Sequence, residues 1–134
     1  MDRSNPNAQG STSPIQNKIG SVFVPVKNIE HARDWYCQLL GIDSNECEIL
    51  NGHLCPLPMQ GTGIILDTMP MWGGKEPGGA PPIATPAFML LTKDLEASLS
   101  YARAKGVSIK TVNEQDPWFV IKDPDGNALM VCRE

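Results

Sequence analysis

The chain has 134 residues, 41% of them apolar and 19% charged, with a net charge of −4. That length suits one domain whose core needs no disulfide or metal to hold it, and the composition excludes a disordered, collagen-like or membrane-spanning chain. The acidic balance argues against nucleic acid as a partner, because phosphate binding needs a basic surface.

Residues 1–17 are Asn, Ser, Gln, Gly and Pro with almost no apolar content, and are expected to form a disordered tail. They hold no apolar core of the kind an export signal requires. Cys37, Cys47, Cys55 and Cys132 form no CxxC pair, so they read as reduced thiols in a cytoplasmic protein. Gly20–Lys27 is rich in β-branched residues and predicts a strand, with Pro25 pointing to an edge or a strand end. Asn28 is a good N-cap. Ile29, Ala32, Tyr36 and Leu39 follow on one helical face, and Gly41 closes the helix. Short strands are expected over Glu46–Leu50, His53–Pro58 and Gly63–Asp67, with Asn51-Gly52 as a hairpin turn between the first two.

Thr68–Pro86 holds five Pro and four Gly in 19 residues and predicts a linker or long functional loop. Order resumes with a strand at Ala87–Lys93. Asp94 then caps a helix carrying Leu95, Leu99 and Ala102, and Gly106 stops it. Val107–Val112, Trp118–Lys122 and Ala128–Cys132 read as strands. The last two flank Asp123-Pro124-Asp125-Gly126, whose residue types suit a type I turn.

The chain repeats itself. SVFVPVKNIE at 21–30 lies over AFMLLTKDLE at 87–96, an offset of 66 residues. Each half reads βαβββ. The predicted fold is α+β: one domain over residues 18–134, with modules at about 18–67 and 87–134 joined by the linker 68–86. The modules together would make an open, curved, eight-stranded, barrel-like sheet with helices outside.

Three segments carry a resemblance: VPVKNIEHARDWYCQLLGI (24–42), LLTKDLEASLSYARAKGV (90–107) and FVIKDPDGNALMV (119–131). Taken together they resemble the vicinal oxygen chelate superfamily of glyoxalase I, bleomycin-resistance proteins and extradiol dioxygenases. The resemblance covers Ile19 to Val131 and implies the paired βαβββ fold and a homodimer. It does not imply one reaction, since the fold hosts many. Metal-using members place a His seven residues before the capping residue of each half and a Glu seven after the Asp of DPDG. Here those positions are Ser21, Ala87 and Met130. Hydroxyl, methyl and thioether do not make a site for a hard or borderline divalent ion. No metal and no other cofactor is therefore expected, and no catalytic residue is assigned.

By alternation, the concave sheet would present Ser21, Phe23, Met89, Leu91, Met130 and Cys132, with Trp118 as a cleft wall and Trp72 of the long loop closing over it. The expected function is binding of a small apolar or aromatic molecule in this cleft, with neither nucleic acid nor membrane as a partner. One alternative is a metal-dependent lyase, isomerase or dioxygenase with relocated ligands drawn from His53, Asp67 and a loop carboxylate. The other is a protein-interaction module. His53 and Cys55 fall two apart in a predicted strand and would point the same way. His31 reads as a solvated helix residue, and Asp67 as a strand-end carboxylate in water. The carboxylates of Asp123 and Asp125 are expected to bond the local turn backbone.

Overall fold

A computed structural model describes residues 13–112 and 115–134. Most of the tail expected over 1–17 lies outside the described residues. The first element is β1, Ser21–Pro25, followed by α1, Ile29–Leu40. Asn28 caps α1 by accepting the His31 amide at 2.9 Å. Gly41 closes it in the left-handed conformation, φ 70°, which an L side chain adopts only with strain. Then come β2 (Leu54–Leu57) and β3 (Gly63–Asp67). The second half repeats the order with β4 (Met89–Thr92), α2 (Leu95–Ala104), β5 (Ser108–Val112), β6 (Trp118–Lys122) and β7 (Ala128–Arg133). Asp94 caps α2 as Asn28 caps α1, accepting the Ala97 amide at 2.9 Å.

The strands form two mixed sheets, ordered β1-β3-β2 and β4-β7-β6-β5. In each half the first strand runs parallel to the last, β1 beside β3 and β4 beside β7. The sequence repeat is thus a repeat of topology. β1 is an edge strand, which tolerates Pro25 at its end.

The expected eight strands are corrected to seven among the described residues, in sheets of three and four with no closed barrel. The strand expected at Glu46–Leu50 does not form. Asp43 instead accepts the Asn45 amide at 3.0 Å and starts a single 3₁₀ turn, Ser44–Glu46. Cys47 then turns inward, 3.6 Å from the Cys37 sulfur. Only Leu50 pairs, as an isolated bridge to Leu54. The Asn51-Gly52 turn does form, with φ of 53° and 74° and a bond from the His53 amide to the Leu50 carbonyl. Both central residues are left-handed, as a type I′ turn needs.

One core joins the halves. Val24, Ile64 and Leu66 of the first sheet share it with Phe119, Ile121, Leu129 and Val131 of the second and with Ile29, Ala32 and Tyr36 of α1. α1 is common property: Tyr36 donates to Asp123 across the core at 2.6 Å, and Tyr101 of α2 donates to the Gln38 carbonyl at 2.6 Å. Among the described residues, no helix is long and apolar enough to cross a membrane.

The segment 68–86 forms neither helix nor strand but a run of turns, ending where Ile83 bonds Asn127 and Ala128.

Candidate functional site

Strand alternation gives each sheet two unlike faces. On β1 and β3, Val24, Ile64 and Leu66 are buried against the helix side. The opposite, outward face carries Phe23 beside Ile65 and Pro56 in cross-strand register. The second sheet does the same. Leu129 and Val131 face the core, while Met89 pairs with Met130, and Leu91 pairs with Cys132, which in turn pairs with Trp118. On these outward faces Phe23 is 51% exposed, Met89 57% and Leu91 61%. Large apolar side chains so exposed on well-paired strands make these faces the candidate contact surface.

The expected lining residues therefore divide. Met89, Leu91, Met130 and Trp118 share one face of the second sheet, and Ser21 and Phe23 share the outward face of the first. Trp72 stands apart from both. It sits in a turn closed by its own amide on the Met69 carbonyl and is 72% exposed, with Met71 beside it at 81%.

Among the described residues, recesses open between the halves. One, of about 440 Å³, lies between the end of α1, α2 and the core side of the second sheet, bounded by Leu40, Leu90, Ala97, Tyr101 and Val131. Another, about 560 Å³, is bounded by Val22, Met59, Gly63, Phe88, Met89 and Leu91. The first exists because α2 is thinly seated, with only Ala102 fully buried.

The residues at the metal positions implied by the resemblance do not fit an ion. Ser21 pairs with Gly63, Met130 pairs with Met89 two residues past Ala87, and none of these side chains is an imidazole or carboxylate. Among the described residues no three His, Cys, Asp or Glu side chains converge as a metal site would need.

His53 and Cys55 do not point the same way. His53 precedes β2 in the turn, while Cys55 is fully buried in the core. His53 instead meets Asp67, Nδ1 to Oδ1 at 3.0 Å. Asp67 is not a carboxylate in water: it is 7% exposed and also accepts the Met69 amide at 2.8 Å. No local signal reveals this contact: the register sets Leu54, not His53, opposite Asp67, and the ring reaches the carboxylate from the turn. His31 remains exposed, as expected.

The DPDG turn closes with the Gly126 amide on the Asp123 carbonyl at 3.0 Å. Asp123 Oδ1 accepts the amides of Asp125 and Asn127, and Oδ2 accepts the Tyr36 hydroxyl and the Asn127 side chain. Asn127, fully buried, also donates to the Pro25 carbonyl and accepts the Ile83 amide, each at 2.8 Å. This network ties β1, α1, the long loop and the last hairpin together, a structural hub that local turn chemistry did not reveal. Burial and the facing Asp123 push the Tyr36 hydroxyl far above the ordinary tyrosine range. Burial also raises Asp125, against the opposing pull of the Lys27 amide that it accepts. The Cys37 thiol is pushed up to about 12 by burial and then by its contact with Cys47. Cys55 is raised as well, again chiefly by burial.

This paired arrangement of a parallel first and last strand, each with its capped helix, defines a class. The model of the glyoxalase/bleomycin resistance protein/dioxygenase superfamily matches residues 18–131, and the chain belongs to that family. Among solved structures, the fold is similar to TnmS3, an antibiotic binding protein from Streptomyces sp. CB03234. The TM-score is 0.65 at 22% identity, covering 90% of this chain and 98% of that one. A member of the same superfamily from Sphaerobacter thermophilus DSM 20745 gives 0.68 at 22% identity, covering 87% and 96%. Lactoylglutathione lyase from Agrobacterium tumefaciens gives 0.64 at 14% identity, covering 90% and 96%. Comparison with curated proteins gives no match.

Proposed function

We propose that this chain binds a small apolar or aromatic molecule on the outward faces of its sheets, as a homodimer and without the family's metal. One observation carries the reading: Phe23, Met89 and Leu91 are more than half exposed on strands whose other faces turn toward the core. Removing that surface from water would supply ~25 cal/mol per Å² toward binding. Each chain offers two such faces, and a second copy laid against them would enclose a cleft from two half-sites. Ser21 would contribute an orienting hydrogen bond, Met130 and Trp118 the floor, and Trp72 a cover. That a similar fold in TnmS3 belongs to an antibiotic binding protein supports the ligand class.

The test uses 1-anilinonaphthalene-8-sulfonate fluorescence together with sedimentation of the same sample. Phe23→Asp and Leu91→Asp should each weaken dye binding about tenfold or more. Ala97→Phe, which fills the recess beneath α2, should leave it unchanged. Loss on Ala97→Phe with retention in the other two variants would move the site to that recess and end the proposal. Elemental analysis finding about one transition metal per chain would instead favour a lyase, isomerase or dioxygenase.

A further inference from the structure

The outward face of the first sheet is apolar in its middle, at Phe23, Ile65 and Pro56, with the Ser21 hydroxyl at one end and a carboxylate at the other. There the row Pro25–Asp67–Leu54 closes the sheet, and His53 stands beside it. Asp67 alternates with Ile65, which is the cross-strand partner of Phe23, so its carboxylate belongs to the same face as Phe23. An isolated carboxylate nearly out of water is costly unless it is hydrogen-bonded. Asp67 meets that cost with two donors on one oxygen, the Met69 amide at 2.8 Å and His53 Nδ1 at 3.0 Å. The carboxylate can only accept, so Nδ1 carries the proton in this contact. That leaves Nε2 as the free atom of a ring held in place by its other nitrogen. Among the described residues no hydrogen bond engages Nε2, and the side chain is 31% exposed. The Met69 amide that completes the pair opens the turn bearing exposed Met71 and Trp72. His53 Nε2 is thus an oriented polar atom beside the row that lies two residues along the strands from Phe23, Ile65 and Pro56.

We infer that the His53–Asp67 pair is the polar anchor of the ligand face, with His53 Nε2 accepting a hydrogen bond from a hydroxyl on an otherwise apolar, aromatic ligand. This rests on the proposed binding function and narrows it to a substrate class, hydroxylated aromatics. His53 is the recognising residue and Asp67 the positioning one. No bond is made or broken.

The experiment compares 2-naphthol with 2-methylnaphthalene, which has the same shape without the donor, by calorimetric titration of the full chain. The unaltered protein should prefer 2-naphthol by roughly tenfold, the scale of one hydrogen bond to a part-buried group. His53→Phe should erase that preference, the two probes then binding with equal affinity. His53→Gln, which still offers a side-chain acceptor, should retain a preference. Equal affinity of the unaltered protein for both probes, or a preference that survives His53→Phe, overturns the anchor and leaves apolar binding standing. If neither probe binds, both the anchor and the function beneath it fall. The comparison on the unaltered chain holds even if a variant does not fold.

Discussion

The two halves share a plan, but only the second completes it. Its outer strand, β5, is Ser108-Ile109-Lys110-Thr111-Val112, a run of alternating and β-branched residues that pairs with β6 through one irregularity. The corresponding stretch of the first half is Glu46-Cys47-Glu48-Ile49-Leu50, where a 3₁₀ turn and a buried thiol replace the ladder. The first half has lost an edge strand and gained a sulfur cluster in its core. It also holds the His53–Asp67 pair at the end of its outward face, where the second half has no described counterpart. The lesson is that a repeat of topology need not be a repeat of chemistry. The helix-side faces are constrained by packing, while edges and outward faces are free to diverge.

The largest effect should come from cutting the hub that couples the halves. Asn127→Ala removes the partners of the Pro25 carbonyl and the Ile83 amide and takes one donor from Asp123. Urea unfolding should show a loss of about 3 kcal/mol, through a lower midpoint. A loss below about 1 kcal/mol would mean that the Asn127 bonds contribute little to coupling the halves.

A smaller effect separates the thiols of the first half. Cys37 titrates at about 12 in the fold but near 8.5 once unfolded. A raised folded value means its contribution is complete below about pH 8.5 and is lost as pH climbs toward 12. Stability measured across this window should fall for the unaltered protein and fall less for Cys37→Ala. Identical slopes would contradict the buried placement of that thiol.

The smallest effect tests the missing strand directly. Alternate amides of β5 should exchange slowly through their ladder to β6, whereas those of Glu48 and Ile49 should exchange within the fast class. Slow exchange at Glu48 and Ile49 would restore an eighth strand and the symmetry of the halves.

Much of this architecture is written locally. Asn28 and Asp94 cap their helices because a short polar side chain reaches the free amide three residues on, which needs no knowledge of the rest of the chain. The same holds for Asn51-Gly52 and for DPDG, whose backbone preferences select the turn. β3 and β6 have the bounds expected from their apolar runs and flanking residues, Gly63–Asp67 and Trp118–Lys122. The stretch at Glu46–Leu50 misled because its apolar residues and the following turn resemble a strand. Asp43 and the pull of Cys47 toward Cys37 won instead, and that contact spans ten residues between separate elements.

Sequence by itself determined the order of elements, the internal repeat and which strand residues alternate, because caps, turns and periodicity act over a few residues. Tertiary structure alone decided that Tyr36, Asp123 and Asn127 form one buried network and that His53 meets Asp67 rather than Cys55. It also decided which apolar side chains stay in water. Those outcomes depend on how sheets and helices are brought together over long chain separations, where burial sets the cost of every unpaired polar group.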